Sequence, residues 1–217
     1  MRRILVINPN TNPAVTQRVR EVAERHAVRG VAFDVVNPKE GPFSIETPAH
    51  RAQAQVHTLA LIEAGAHKGY AAFVMACFDD LALEEARALV DVPVIGTCES
   101  GIAAARAVSP HFAVITTVHD AVSGIRLLMQ RYGAGAQASV RAAGIGVAEA
   151  ASGQEAIRDR FVQTVLDAVR EDGAQAILLA SGGLTGQAPD IANTTGIPVL
   201  DGVEEAILKS LALVQPE

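Results

Sequence analysis

Two apolar patterns alternate along the chain. Short apolar runs predict strands at Arg3–Ile7, Val31–Val36 (alternating), Tyr70–Ala76 and Val92–Ile95, then at Phe112–Ile115, Ser139–Ile145, Ala174–Ala180 and Val199–Leu200. Between them, apolar residues recur at helical spacing. Val15, Val19, Val22 and Ala23 mark a helix over Pro13–His26, and Ile157, Phe161, Val165 and Val169 mark one over Gln154–Glu171. Further helices are predicted at Ala49–Gly65, Leu81–Leu89, Ala121–Tyr132, Ala188–Thr194 and Val203–Leu213. Thr11 or Asn12 followed by Pro13 suits a helix start, and Asp79 and Asp80 are candidates to cap the helix behind them. Strand alternating with helix predicts an α/β fold with parallel sheets.

The pattern occurs twice. GYAAFVMAC (Gly69–Cys77) matches GAQAILLAS (Gly173–Ser181), which sets Gly69 against Gly173, Ala76 against Ala180 and Cys77 against Ser181. DVPVIG (Asp91–Gly96) then matches GIPVLD (Gly196–Asp201), and a fainter echo joins ILVINPNT to AVITTVHD (Ala113–Asp120). The chain therefore reads as two similar α/β halves, each ending its equivalent strand in a small nucleophilic side chain; if they face each other about a pseudo-two-fold, both strand ends point into one cleft. The first lobe is expected over 1–98 plus 207–217 and the second over 99–206, the C-terminal helix returning to the first lobe.

Composition narrows the function. The net charge of −6 comes from dispersed acids, with no basic stripe, which argues against nucleic acid and an anionic membrane surface. The apolar runs are far below the ~18 residues of a membrane span. Two cysteines and no signal-like segment after Met1 predict a reduced, cytoplasmic protein. No GxxxxGK[ST] run occurs, and neither GxG opens a helix after a strand with the three glycines of the dinucleotide fingerprint, so phosphate-loop and dinucleotide binding are not expected. The six histidines lack metal-ligand spacing; no metal and no cofactor are expected. Cys98, in GTCESG, distantly resembles a nucleophile elbow but has only Val203 opposite it in the repeat, and reads as structural.

Cys77 and Ser181 carry the candidate chemistry. Each lies at the carboxyl end of a buried strand, where open α/β sheets bind ligands. Two such ends facing one cleft suit the removal of a proton from one face of a carbon and its return to the other. A thiol can do this, whereas Ser181 has no His or Lys beside it in sequence and is also explained as a strand-end residue capping a turn. Asn8 to Asn12, Thr116-Thr117 and Gly182-Gly183 form short polar turns at other strand ends. They suit the binding of carboxylate, imide or enolate oxygen, or plain helix capping.

INPNTN (Ile7–Asn12), GPFSIET (Gly41–Thr47), ACFDD (Ala76–Asp80) and PVIG with CESG (Pro93–Gly101) together resemble the hydantoin and allantoin racemase branch of the aspartate/glutamate racemase superfamily. The resemblance spans nearly the whole chain. It implies a cofactor-independent two-base racemase of two Rossmann-like lobes with the active site in the cleft between them, cysteines on opposite faces of a 5-substituted hydantoin, a small-molecule substrate, and a homo-oligomer. Cys77 matches the first cysteine. The second falls at Ser181, and Asn8, Asn10, Ile45, Thr116, Thr117, Gly182 and Gly183 would line the ring and its carbonyls. Serine at 181 departs from the pattern. The intact motif around it favours an inactivating Cys-to-Ser variant over a natural relative of different chemistry. The competing readings are a single-cysteine lyase or isomerase of the same fold, resembling arylmalonate decarboxylase or maleate isomerase, and a non-catalytic binding module.

Overall fold

The computed structural model describes residues 1–152 and 154–214. β1 (Arg2–Ile7), β2 (Val31–Val36), β3 (Ala72–Met75) and β4 (Val94–Gly96) form one sheet in the order β2-β1-β3-β4. β5 (Phe112–Thr116), β6 (Ala138–Ala142), β7 (Ala176–Leu179) and β8 (Val199–Asp201) form a second in the order β6-β5-β7-β8. Every pairing is parallel, with Ile4 opposite Ala72 in the first sheet and Phe112 opposite Ala176 in the second. The two sheets share one topology, so β1 corresponds to β5 and β3 to β7.

Local chemistry explains the helix ends. α1 (Pro13–Arg25) starts with Pro13 at its first position, and the Asn12 side chain accepts from Ala14 N at 2.9 Å. α2 (Pro48–Ala66) repeats the device, with Thr47 Oγ1 accepting from His50 N at 3.2 Å. α3 (Leu83–Leu89), α4 (Thr97–Val108) and α5 (Ala121–Arg131) follow. The strand expected to run to Ile145 ends at Ala142; Gly144, at φ 69°, turns the chain into α6 (Val147–Ala150), which the apolar pattern had not revealed. α7 (Glu155–Asp172) stops at Gly173 and α8 (Ala188–Thr195) at Gly196, both left-handed. α9 (Gly202–Val214) ends the described chain.

Period-two alternation splits each sheet between two apolar layers. Ile4 and Val6 pack with α1 and α9, while Leu5 and Ile7 pack under α2 and α3. In the second sheet Phe112 and Val114 face α4 and α5, and Ala113 and Ile115 face α7 and α8. The helix after each fourth strand covers the other sheet: Cys98, Ile102 and Ala105 of α4 lie in the core of the second, and Val203, Ala206 and Ile207 of α9 in that of the first. These crossing helices meet at small residues. A Cβ on Gly101 would lie 2.8 Å from Leu178 Cδ1 and 3.3 Å from the Gly202 backbone.

A buried carboxylate caps each crossing helix. Asp80 was a candidate cap for α3, but that helix leaves a left-handed Ala82 (φ 59°) with no side-chain cap. Asp80 instead accepts from Cys98 N at 2.8 Å, Glu99 N at 3.0 Å and Tyr132 Oη at 2.7 Å, which caps α4. At α9, Asp201 accepts from Gly186 N at 2.6 Å and Val203 N at 2.9 Å. Asp201 matches Gly96 in the repeat, so the two carboxylates reach equivalent places from different directions. A Cβ on Gly96 would sit 2.6 Å from Asp80 Oδ1.

Burial pushes both carboxyls up to about 6, against the N–H groups and the Tyr132 hydroxyl that favour the anion. Between pH ~4 and ~6 the folded protein therefore holds protons that the unfolded chain has released, and ionisation on raising the pH costs stability. Stability to urea should rise as pH falls from 7 to 5, by about 1 kcal/mol per carboxyl. Asp201→Asn should reduce that slope by about half, as read from denaturation midpoints across pH. Gly96→Ala should lower unfolding free energy by about 1–3 kcal/mol by displacing the Asp80 carboxylate.

Candidate active site

The carboxyl ends of β1, β3, β5 and β7 converge on one narrow pocket with about 50 Å³ of free volume. Cys77, two residues past β3, and Ser181, two residues past β7, both line it, as do Asn8, Asn10, Ile45, Thr116, Thr117 and Gly182. Gly183 lies behind the wall, where a Cβ would approach Val147 O to 2.5 Å.

The loop after β1 is held by its own amides. Asn8 Nδ2 donates to Asn10 Oδ1 and to Thr16 Oγ1, each at 3.0 Å, and Asn8 Oδ1 accepts from Asn10 N. The Asn8 side chain is thus spent on shaping the loop. Asn10 Oδ1 also accepts from Asn12 N at 2.9 Å, which leaves Asn10 Nδ2 without a protein partner among the described residues. On the other side, Thr116 Oγ1 donates to Ala180 O at 3.2 Å, and Thr117 Oγ1 meets Ser181 Oγ at 3.4 Å.

Cys77 sits in a tight turn, with its N–H donating to Met75 O at 2.8 Å and its carbonyl accepting from Asp80 N at 3.1 Å. Thr97 Oγ1 ties the same strand end to α4 through Met75 O at 2.6 Å. Asp80 holds φ 46°, a left-handed conformation unusual for a residue with a side chain. Burial pushes the Cys77 thiol well above its ordinary range, and the Asp79 charge adds to this; the Asp79 N–H and the Arg51 cation pull it down. The resting group is a neutral thiol. Ser181 Oγ accepts from Gly183 N at 3.3 Å and has Thr117 as its other neighbour. No histidine, lysine or carboxylate activates it among the described residues.

Among the wall residues not singled out from sequence are Arg51 and Val147. Arg51, in the first turn of α2, donates from Nε to Asp79 Oδ2 at 2.6 Å, and both side chains line the pocket beside Cys77. Val147 comes from α6 and lines the pocket together with Ile45 of the long loop before α2. Glu46 Oε1 accepts from Val147 N at 2.9 Å, and Arg18 donates to Ala151 O at 2.9 Å, so the first sheet's layer grips the segment that closes the second side. A lone arginine and a short helix behind a glycine carry no periodic signal, and only the fold reveals them. Cys98 is wholly buried in the core around α4. No cluster of potential metal ligands and no helix long and apolar enough to cross a membrane occur among the described residues.

Comparison with known proteins agrees with this architecture. Hydantoin racemases from Paenarthrobacter aurescens and Rhizobium meliloti are 32% and 35% identical, covering 98% and 97% of this chain and 91% and 88% of theirs. The structure of allantoin racemase from Klebsiella pneumoniae superposes with a TM-score of 0.94 at 33% identity, over 99% of this chain and 88% of that one. A family model described as Asp/Glu/Hydantoin racemase matches residues 4–209, and with two like-ordered parallel sheets closing on one pocket, the chain belongs to that family of racemase enzymes.

Proposed function

We propose that the chain acts on 5-substituted hydantoins by proton transfer at the ring carbon between its substituent and a carbonyl. The observation that carries this reading is that Cys77 and Ser181, at matching strand ends of the two sheets, line one pocket. The ring lies between them, with Asn10 Nδ2 and the backbone N–H groups near Gly182 placed for its carbonyl and enolate oxygens. Cys77, once ionised, removes the proton from its own face and returns it there. Exchange with solvent between the two steps leaves a deuteron in D₂O.

Inversion needs a second carrier on the far face. Ser181 stands where the family resemblance places a cysteine, and its hydroxyl, partnered by Thr117 and the Gly183 N–H, neither accepts nor delivers a proton at neutral pH. The chain as it stands exchanges one hydantoin enantiomer faster than it racemises either. A neutral thiol is also suited to the single protonation that completes a decarboxylation, which keeps a lyase acting on substituted malonates as the second reading.

Deuterium incorporation into each enantiomer of a 5-alkylhydantoin, followed separately by NMR at pH 7, should show exchange of one enantiomer with little loss of optical rotation. Ser181→Cys should raise racemisation by about 100-fold or more, in the range that general acid–base groups supply, and Cys77→Ala should abolish exchange. Turnover of a substituted malonate without hydantoin exchange would establish the lyase instead.

A further inference from the structure

We propose that α6 is a gate over Cys77, held shut at both ends by Glu46 and Arg18 of the first sheet's layers, and that a ring-sized molecule reaches the thiol only when this clamp releases. The gate acts whichever compound the pocket takes. A free volume of about 50 Å³ suits a few waters, so a substituted five-membered ring enters only if a wall yields. Val147 of α6 lines the pocket, and α6 has little hold of its own.

Its four residues make about one turn, too short to be stable as a helix alone. The N–H and carbonyl groups at its ends lack partners within the turn, and charged side chains from across the cleft supply them. Glu46 Oε1 accepts from Val147 N at 2.9 Å, while Arg18 donates to Ala151 O from Nε at 3.0 Å and from Nη2 at 2.9 Å. A carboxylate at the N-terminus and a cation at the C-terminus also match the helix dipole. Val15 of α1 completes the clamp, packing with Val147 and Ala151 in a small apolar cluster separate from the cores of the two sheets. From the second sheet's side, Gln187 Nε2 donates to Ala150 O at 3.3 Å. Upstream, the left-handed Gly144 and Gly146 at the helix start give the chain its pivots. Glu46 directly follows Ile45, another wall residue, so its one hydrogen bond joins two wall segments across the mouth of the pocket.

The test compares alkylation by N-ethylmaleimide, a planar five-membered imide, of the unaltered chain, Glu46→Ala and Arg18→Met, with the two thiols resolved by peptide mass spectrometry. Both variants should react at Cys77 at least about tenfold faster, the range that a charge-assisted hydrogen bond supplies. Cys98, wholly buried in the core, should stay unreacted in all three and so reports any general loosening. Loss of a carboxylate and loss of a cation move thiol ionisation in opposite directions. Acceleration by both variants is therefore the signature of the clamp. Acceleration by only one of them, as charge alone would give, overturns the proposal. Unchanged rates at Cys77, or equal gains at Cys77 and Cys98, overturn it as well. Alkylation needs no turnover, so its outcome is independent of whether hydantoins are the substrates.

Discussion

The contact between Gly101 of α4 and Gly202 of α9 governs the relation of the two sheets. Each helix covers the sheet it did not come from, so their closest approach determines how near the strand ends can come. Both sides of the crossing are short of side-chain atoms for the same reason. A Cβ on Gly202 would lie 3.0 Å from Thr97 Cγ2 and 3.1 Å from Phe78 Cδ2, which ties the crossing to the residue directly after Cys77. Packing at a helix seam thereby reaches the pocket wall through one side chain. Interiors this dense pass small displacements on rather than absorbing them.

The buried carboxylates serve the same arrangement. Asp80 and Asp201 each hold the first turn of a crossing helix, where N–H groups have no partner within the helix. Asp80 also takes the Tyr132 hydroxyl from the end of α5, so one carboxylate joins the Cys77 turn, α4 and the layer over the second sheet. The backbone at Asp80 and Ala82 beside this carboxylate is left-handed, an uncommon conformation for residues with side chains. Burial raises the Tyr132 hydroxyl further above its ordinary range, and the neighbouring Asp80 charge adds to this, so it remains a donor to the carboxylate throughout the working pH range.

Much of this was readable in the sequence because the inner strands β1, β3, β5 and β7 are buried on both faces and their apolar runs are continuous. The eight strands, the long helices and the repeat that pairs Cys77 with Ser181 rest on that signal. What stayed hidden depends on contacts between residues distant in the chain. Asp80 resembles a local helix cap because it precedes an apolar run, yet its partners, Cys98 and Glu99, lie beyond β4. Arg51 sits in a helix with no marked polar face, and its meeting with Asp79 follows from the packing of α2 beside β3. The strand at β6 was read too long because Ala143 and Ile145 are apolar and buried, although Gly144 between them turns the chain. Asn8 shows the converse: its motif suggests a ligand contact, and its amide is committed to Asn10 and Thr16.

The exchange of α4 and α9 also bears on how such a molecule can be divided. A chain ending after α4 would expose the face of its own sheet that α9 covers, and would carry an amphipathic helix with no sheet to lie on. Two copies of such a half could meet both needs by trading their last helices, each lending the other its missing layer. The present single chain has the connectivity of that swapped pair joined end to end. Its pocket then lies on what would be the dyad of a dimer, where two copies of any one residue necessarily face each other, and joining the halves is what allows a sulfur and a hydroxyl to differ there.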